Sequence, residues 1–264
     1  MGKKQIQDAI EKVVSNGQKA FIPYIMAGDP GLENLKDQLL FLQEAGATAV
    51  ELGIPFSDPV ADGPTIQEAG KRALESGTTL KKVLETLKLC RGDIHIPVVL
   101  MTYINPVFKY GLQRFFKDSE EAGVDGLIIP DVPLEQRPLI EANMNQTDLA
   151  LIQLVTLTSP IERIERLAKA SEGFLYAVTV TGITGARSAV SEKLESFLYT
   201  LKKHSSVPVL AGFGISTPEQ VKEVASLGDG VIVGSRIVDL LHQGKREDIR
   251  QLIQAAANTE VNVD

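Results

Sequence analysis

The chain alternates short apolar runs with amphipathic segments along most of its length. Eight apolar runs have the length of strands, and they occupy residues 20–28, 48–54, 97–103, 126–132, 149–155, 174–180, 208–214 and 230–235. These runs are almost continuously apolar, which is typical of parallel strands that are buried on both faces. Between them, segments such as LENLKDQLLFLQEAG and LQRFFKDSEEAG repeat apolar residues every three or four positions. This spacing indicates helices that pack on one face.

Eight strands that alternate with helices predict an α/β protein with a single (β/α)₈ TIM barrel. We assign residues 1–17 to an extra N-terminal helix and residues 18–264 to the barrel, as one domain. The alternative is an open doubly wound sheet, which favours a G-x-G-x-x-G turn after the first strand, and MAGDPGLE at that place does not match. Glycines in EAG and ESG predict helix stops, and Thr65 with Glu68 predicts a capping box.

Composition narrows the classes of function. The net charge is −7 with no dense Lys/Arg run, so nucleic-acid binding is not expected. No apolar run reaches the roughly 18 residues of a membrane span, and the N-terminal segment lacks the apolar core of a signal peptide. Cys90 is the single cysteine and has no internal disulfide partner. A cytoplasmic protein is the simplest interpretation.

The stretch VELGIPFSDPVADGP places a carboxylate inside a run that is otherwise buried. Glu51 lies in the second strand, and Asp58 and Asp62 follow in a proline-rich loop. An unpaired buried carboxylate costs several kcal/mol. Glu51 is therefore either half of a structural pair or a catalytic group. Asp58 and Asp62 can equally be ordinary turn residues.

Active sites of such barrels lie at the carboxyl ends of the strands. His95 and His204 precede strands and belong to the opposite face, and no lysine lies in or at the end of a strand. We therefore expect no histidine-based metal site and no Schiff base. Carboxylates, tyrosines and glycine-rich loops remain, and these suit proton transfer on a phosphorylated small molecule.

Glycine-rich strand ends suit a phosphate group. Gly214, Gly234 and Ser235 offer backbone N–H groups, and SRIVDLL begins a helix whose N-terminus favours an anion. Tight turns that merely need glycine are the alternative. TGITGAR, at residues 181–187, is either a lid that closes over substrate or an ordinary loop.

The motifs YIMAGDP, VELGIPFSDPVADGPTIQ, MTYINPV, GLIIPDVP, GITGAR, GFGIS and VGSRIV span residues 24–238. Their types and order resemble those of the tryptophan synthase α subunit family. The resemblance implies a (β/α)₈ barrel with an extra N-terminal helix. It also implies retro-aldol cleavage of indole-3-glycerol phosphate to indole and glyceraldehyde 3-phosphate, without a metal or an imine. One departure is that the family has an arginine before the GxTG loop, whereas AVTVTGITG has none.

The resemblance also assigns residues. Glu51 and Asp62 match the two catalytic carboxylates. The positions that bind or support the substrate match Tyr103, Tyr176, Thr184, Gly185, Phe213 and the supporting Asp131, and the phosphate contacts match Gly214, Gly234 and Ser235. We expect burial to raise the pKa of Glu51, so that it holds a proton, while Asp62 on a more open loop stays ionised.

The family further implies a partner, the tryptophan synthase β subunit. That subunit carries pyridoxal phosphate and receives indole in an α₂β₂ complex, so no cofactor is expected in this chain. The proline-rich loops around the site are plausible docking elements, although rigid loops also serve only to hold shape. Two alternatives are a free-standing lyase that releases indole and a barrel without catalysis that acts as a regulatory subunit.

Overall fold

The computed structural model of the chain describes residues 2–179, 187–212 and 214–259. Parallel strands alternate with helices throughout. Within these ranges the strands are β1 Ala20–Met26, β2 Val50–Gly53, β3 Val98–Met101, β4 Gly126–Ile128, β5 Ala150–Leu151, β6 Gln153–Thr156, β7 Leu175–Val178, β8 Val209–Gly212 and β9 Gly230–Val233. All of them lie within the eight predicted apolar runs except β6, which extends one residue beyond the fifth run, to Thr156.

The sheet closes on itself through the fifth apolar run. The strand order is β5-β4-β3-β2-β1-β9-β8-β7-β6, and every recorded pairing is parallel. β5 and β6 are two parts of the same run, separated by Ile152 alone. β5 pairs with β4, and β6 pairs with β7, so one continuous segment joins both ends of the sheet. The predicted barrel is confirmed, and the open doubly wound sheet is excluded.

Helices cover the outside of the barrel and one end of it. They are α1 Lys3–Ser15, α2 Leu35–Glu44, α3 Pro64–Glu75, α4 Leu80–Cys90, α5 Ile104–Tyr110, α6 Leu112–Glu121, α7 Pro138–Met144, α8 Ile161–Ala170, α9 Arg187–His204, α10 Pro218–Leu227, α11 Ser235–His242 and α12 Arg246–Ala257. Across the described stretches, none of them combines the length and the apolar character that crossing a bilayer requires.

Helix ends follow the sequence signals only in part. Gly46, Gly77 and Gly123 follow α2, α3 and α6 with φ angles of 97°, 78° and 79°, as the predicted glycine stops require. The predicted capping box at Thr65 is wrong, because α3 begins at Pro64 and its N-cap is Gly63, without a side-chain cap.

Two apolar layers build the core. Along β1, Phe21 and Ile25 face the helices, whereas Ile22 and Tyr24 face the barrel interior. This alternation is the ordinary result of the two-residue period of a strand. It places the Tyr24 ring inside the barrel near the carboxyl ends of the strands.

The N-terminal helix closes the floor of the barrel. Ile6 and Ile10 of α1 are fully buried in the interior layer together with Phe174. A Cβ atom at Gly126 of β4 would lie 2.8 Å from the Ile6 Cδ1 atom, so the strand needs glycine there. The opposite end of the barrel, where the strands finish, is left for a site.

A buried ion pair anchors this floor. Asp125 is fully buried, and its carboxylate accepts hydrogen bonds from the Gly2 amide at 2.8 Å, the Arg91 guanidinium at 2.8 Å and the Val98 amide at 3.0 Å. Arg91 also donates to the Gly123 carbonyl at 2.7 Å. Every group in this contact has a partner, which is what a buried charge requires.

Candidate functional site

A cavity of about 410 Å³ opens at the carboxyl ends of the strands. Its polar lining includes Glu51, Asp62 and Tyr176, and its apolar lining includes Met101 and Ile128. A larger cavity of about 650 Å³ lies outside the barrel, beside α8 and α9, and Thr179 and Glu192 on its border flank residues that the structure does not describe. The barrel-mouth cavity is the candidate site, because it holds the buried carboxylate.

Glu51 is buried, and the described residues give it no counter-ion. Its side chain is 5% exposed, and its Oε2 atom has no hydrogen-bond partner within the described ranges. Nor does any described cation lie within ion-pair distance of it. Burial, with a smaller contribution from the charge of Asp62, raises the pKa of Glu51 to about 8. The carboxyl group therefore carries a proton near neutral pH, and the structural ion pair that was the alternative is absent from the described residues.

Asp62 lies in the loop after β2, half-buried at the same cavity. Burial raises its pKa to about 6, and a hydrogen bond with Tyr103 opposes that rise. Asp62 is therefore more desolvated than the open loop expected from the sequence would make it. With a pKa of about 6, its ionised form still predominates at pH 7. The cavity thus combines a protonated and an ionised carboxyl group.

Tyr103 and Asp131 brace the loops around the carboxylates. The Tyr103 hydroxyl accepts a hydrogen bond from the Ala61 amide at 3.0 Å, next to Asp62. Asp131 does not line the cavity. Its carboxylate accepts from the Ile104 amide at 3.0 and 3.2 Å, directly after Tyr103. The ends of β2, β3 and β4 are therefore linked by hydrogen bonds, and the structure gives Asp131 a supporting place.

Two further tyrosines reach into the cavity over strand-end glycines. Tyr176 is 7% exposed, and burial together with the charge of Glu51 raises its pKa well above the ordinary value. A Cβ atom at Gly212 would lie 2.5 Å from the Tyr176 hydroxyl, and one at Gly53 would collide with the Tyr24 hydroxyl. Sequence reasoning missed Tyr24. Its position in the alternating pattern of the first strand could have identified it.

The predicted phosphate residues lie together on one side of the cavity. Gly214, Gly234 and Ser235 line it, and Ser235 begins α11. Gly214 has a φ of 76°, which other residues rarely adopt. Arg236, which sequence reasoning also missed, lines the same wall and supplies a positive charge. Of the other predicted residues, Thr184, Gly185 and Phe213 lie outside the described residues, as does most of TGITGAR.

No group of three or more metal-ligating His, Cys, Asp or Glu side chains occurs in the ranges that the structure describes. The remaining chemistry of the cavity is that of two carboxyl groups, buried phenols and a helix N-terminus beside Arg236. The fold and the cavity together define a (β/α)₈ barrel with two carboxyl groups in a cavity at the carboxyl ends of its strands.

Comparisons of the chain with known proteins identify a family within this class of barrels. Residues 10–263 match the family described as tryptophan synthase alpha chain. The chain is 54% identical to the tryptophan synthase alpha chain of Bacillus cereus over 260 residues, which are 98% of this chain and 99% of the relative. A solved Aquifex aeolicus protein superposes with a TM-score of 0.88 at 35% identity, covering 99% of this chain and 100% of that one. Tryptophan synthase from M. tuberculosis gives 0.85 at 31% identity, covering 96% and 99%.

The chain belongs to the tryptophan synthase alpha chain family. The reaction of this family is the cleavage of indole-3-glycerol phosphate, so the chain is a carbon–carbon lyase of tryptophan biosynthesis.

The raised pKa of Glu51 predicts a pH-dependent stability. The carboxyl group titrates near 4.5 in the unfolded chain and near 8 in the folded one. Between these pH values the folded protein binds more protons than the unfolded chain does. The free energy of unfolding therefore decreases as pH rises through this range. Because Glu51→Gln cannot ionise, its melting temperature should exceed that of wild type by a margin that grows from pH 4.5 to 8 and then levels off.

Thermal unfolding followed by circular dichroism across this range measures the margin. Glu44→Gln makes the same chemical change at an exposed helix position. The difference between its melting temperature and that of wild type should not grow between pH 4.5 and 8. A Glu51→Gln margin that does not change with pH would contradict the assigned protonation state.

Proposed function

We propose that Glu51 and Asp62 carry out the cleavage as an acid–base pair, without a metal or a cofactor in this chain. The observation that carries the proposal is the protonated Glu51 carboxyl group, which is buried with no counter-ion among the described residues and faces the same cavity as the ionised Asp62. Opposite protonation states in two neighbouring carboxyl groups allow opposite roles.

The steps balance with these two groups alone. Protonated Glu51 donates its proton to C3 of the indole ring, which places positive charge on the ring. Asp62 accepts a hydrogen bond from the indole N–H and stabilises that charge. The C3–glycerol bond then breaks, and its electron pair restores the aromatic ring. The hydroxyl on the departing carbon gives its proton to the Glu51 carboxylate as the aldehyde forms, so Glu51 ends protonated, as it began.

The phosphate group binds at the other side of the cavity. The N-terminus of α11 and the backbone at Gly214 and Gly234 favour an anion, and Arg236 adds a positive charge on the same wall. This end holds the substrate while Glu51 acts on the other end. Tyr176 lines the same cavity, and Tyr103 holds Asp62 in place through hydrogen bonds.

The partner in this proposal is a tryptophan synthase β subunit in an α₂β₂ complex, and pyridoxal phosphate belongs to that subunit. Exposed apolar side chains in the segments that follow two strands support a docking face: Val60 follows β2 with 83% exposure, and Phe108 on α5 follows β3 with 47%. Indole is apolar and leaves without charge, so a partner that covers the mouth keeps it from water.

We also propose one cytoplasmic domain in which α1 is part of the barrel. The burial of Ile6 and Ile10 in the barrel floor supports this, since the helix shares the interior layer. A regulatory barrel without catalysis is disfavoured by the unpaired Glu51 carboxyl group, which costs stability and has no structural benefit in the described residues. A free-standing lyase differs from the proposal only in its independence of a partner.

Turnover of indole-3-glycerol phosphate tests the carboxylate roles. Glu51→Gln should lower kcat by at least about 10³-fold while the protein stays folded and still binds a glycerol phosphate analogue. Asp62→Asn should be severe but less complete, since Glu51 still moves the proton. Asp58→Asn, an exposed carboxylate of the same loop, is the control and should stay within about twofold of wild type. A Glu51→Gln protein that is destabilised but active would refute the assignment.

Added charge at the helix N-terminus tests the phosphate site. Ser235→Asp should raise KM at least tenfold, because like charges about 4 Å apart at a partly exposed site repel by roughly 1–4 kcal/mol. Ser206→Asp adds the same charge at the opposite end of the barrel, and its KM should not change. Equal KM values for wild type and Ser235→Asp would place the phosphate elsewhere.

Addition of a cognate β subunit tests the partner. The isolated chain should be slow, and kcat should rise when the β subunit docks and orders the loops. Phe108→Ala should reduce this gain, whereas Leu89→Ala, which removes an exposed apolar side chain at the far end of α4, should preserve it. An isolated chain that already turns over at about 10 s⁻¹, with no gain from any β subunit, would favour the free-standing lyase.

A further inference from the structure

The Tyr24 hydroxyl is a buried polar group for which the described part of the chain supplies no partner. Its side chain is 6% exposed, and the Oη atom has no hydrogen-bond partner among the residues that the structure describes. The residue lines the cavity that holds Glu51 and Asp62. A buried hydroxyl that makes no hydrogen bond destabilises a protein, and phenylalanine would fill the same space without this cost.

The position of Tyr24 lies between the two ends of the proposed substrate. β1 runs between β2 and β9, and Tyr24 pairs in register with Glu51. On the other side Pro23 pairs with Val233, so the next residue along is Gly234 at the phosphate end. A Cβ atom at Gly234 would lie 3.6 Å from the Tyr24 Cβ. A molecule that reaches from Gly234 to Glu51 must therefore pass over Tyr24.

The backbone makes room for this hydroxyl. Gly53 lies two residues after Glu51 on β2, so both positions face the same side of the sheet. A Cβ atom at Gly53 would overlap the Tyr24 Oη atom. Glycine at this position leaves the phenol tip inside the cavity, at the wall that Glu51 shares.

We propose that the Tyr24 hydroxyl hydrogen-bonds a hydroxyl group of the substrate's glycerol chain, and so holds that chain between the phosphate end and Glu51. The inference rests on the proposed function and adds a substrate-binding residue to it. The atoms between the phosphate and the indole ring carry hydroxyl groups, which suit a phenol that can both donate and accept.

Tyr24 binds and does not exchange protons with the substrate. Burial, followed by the charges of Asp62 and Glu51, raises its pKa well above the ordinary value, so the phenol stays neutral. A neutral phenol beside two carboxyl groups supplies a hydrogen bond of fixed direction. The removal of this bond should weaken the productive complex without changing which groups ionise.

Tyr24→Phe removes one oxygen atom and tests the inference. With indole-3-glycerol phosphate, kcat/KM should fall about tenfold, which is the usual effect of one neutral hydrogen bond. The melting temperature should equal or exceed that of wild type, because the variant no longer buries an unpaired hydroxyl. Tyr199→Phe is the matched control, since the Tyr199 side chain is 72% exposed, and its kcat/KM should not change.

An analogue without chain hydroxyls separates binding from packing. Indole-3-propanol phosphate keeps the ring and the phosphate, so its affinity should be the same for wild type and Tyr24→Phe. An unchanged kcat/KM for the true substrate would overturn the inference. An equal loss for substrate and analogue would overturn it too, because it would assign Tyr24 to the shape of the cavity.

The two proposals fail in different ways. If wild type cleaves the substrate and Glu51→Gln does not, the proposed function stands whatever Tyr24→Phe does. If wild type shows no cleavage with or without a β subunit, both proposals fall. The pH profile of kcat/KM adds a readout: its apparent pKa values should be alike in wild type and Tyr24→Phe, since the phenol does not titrate in this range.

Discussion

Desolvation of the Glu51 carboxyl group is the constraint on which the rest of the site depends. A cation beside this group would favour its ionised form and lower its pKa, and the acid would be lost. No described cation lies within ion-pair distance of Glu51, although Arg236 lines the same cavity beside Ser235. The other side chains that share the cavity with Glu51 include apolar strand residues, the phenols of Tyr24 and Tyr176, and Asp62. The charge of Asp62 also helps to keep the proton on Glu51. Closure of the barrel makes this possible, because it encloses inward-facing side chains away from water.

A buried carboxyl group lies at each end of the barrel, and the two differ in their hydrogen-bond partners. At the floor, Asp125 is fully buried, and it is satisfied by Arg91 and two backbone amides. At the mouth, Glu51 is almost as buried, and its Oε2 atom has no partner within the described part of the chain. The first arrangement stabilises the fold and keeps α1 in place. The second costs stability and keeps a proton on the carboxyl group at neutral pH.

Hydrogen bonds between the loops fix the position of Asp62 relative to the strand ends. Asp131 holds the Ile104 amide, and the neighbouring Tyr103 holds the Asp62 loop through its contact with the Ala61 amide. The segments that follow three strands are thus linked by hydrogen bonds. The separation between the Asp62 and Glu51 carboxyl groups is therefore set by these loop contacts and by strand β2, which carries Glu51.

Much of the architecture follows from local sequence. The apolar runs, the glycine stops and the anomalous Glu51 depend on residues a few positions apart, and motifs over residues 24–238 indicate the family. Tertiary structure decided what depends on neighbours that are distant in the chain. The split of the fifth run at Ile152 follows from its pairing with β4 and then β7. The raised pKa of Asp62 follows from desolvation, and the Tyr24 hydroxyl is buried with no partner in the described residues. Both depend on burial, which is a property of the assembled barrel and not of any segment.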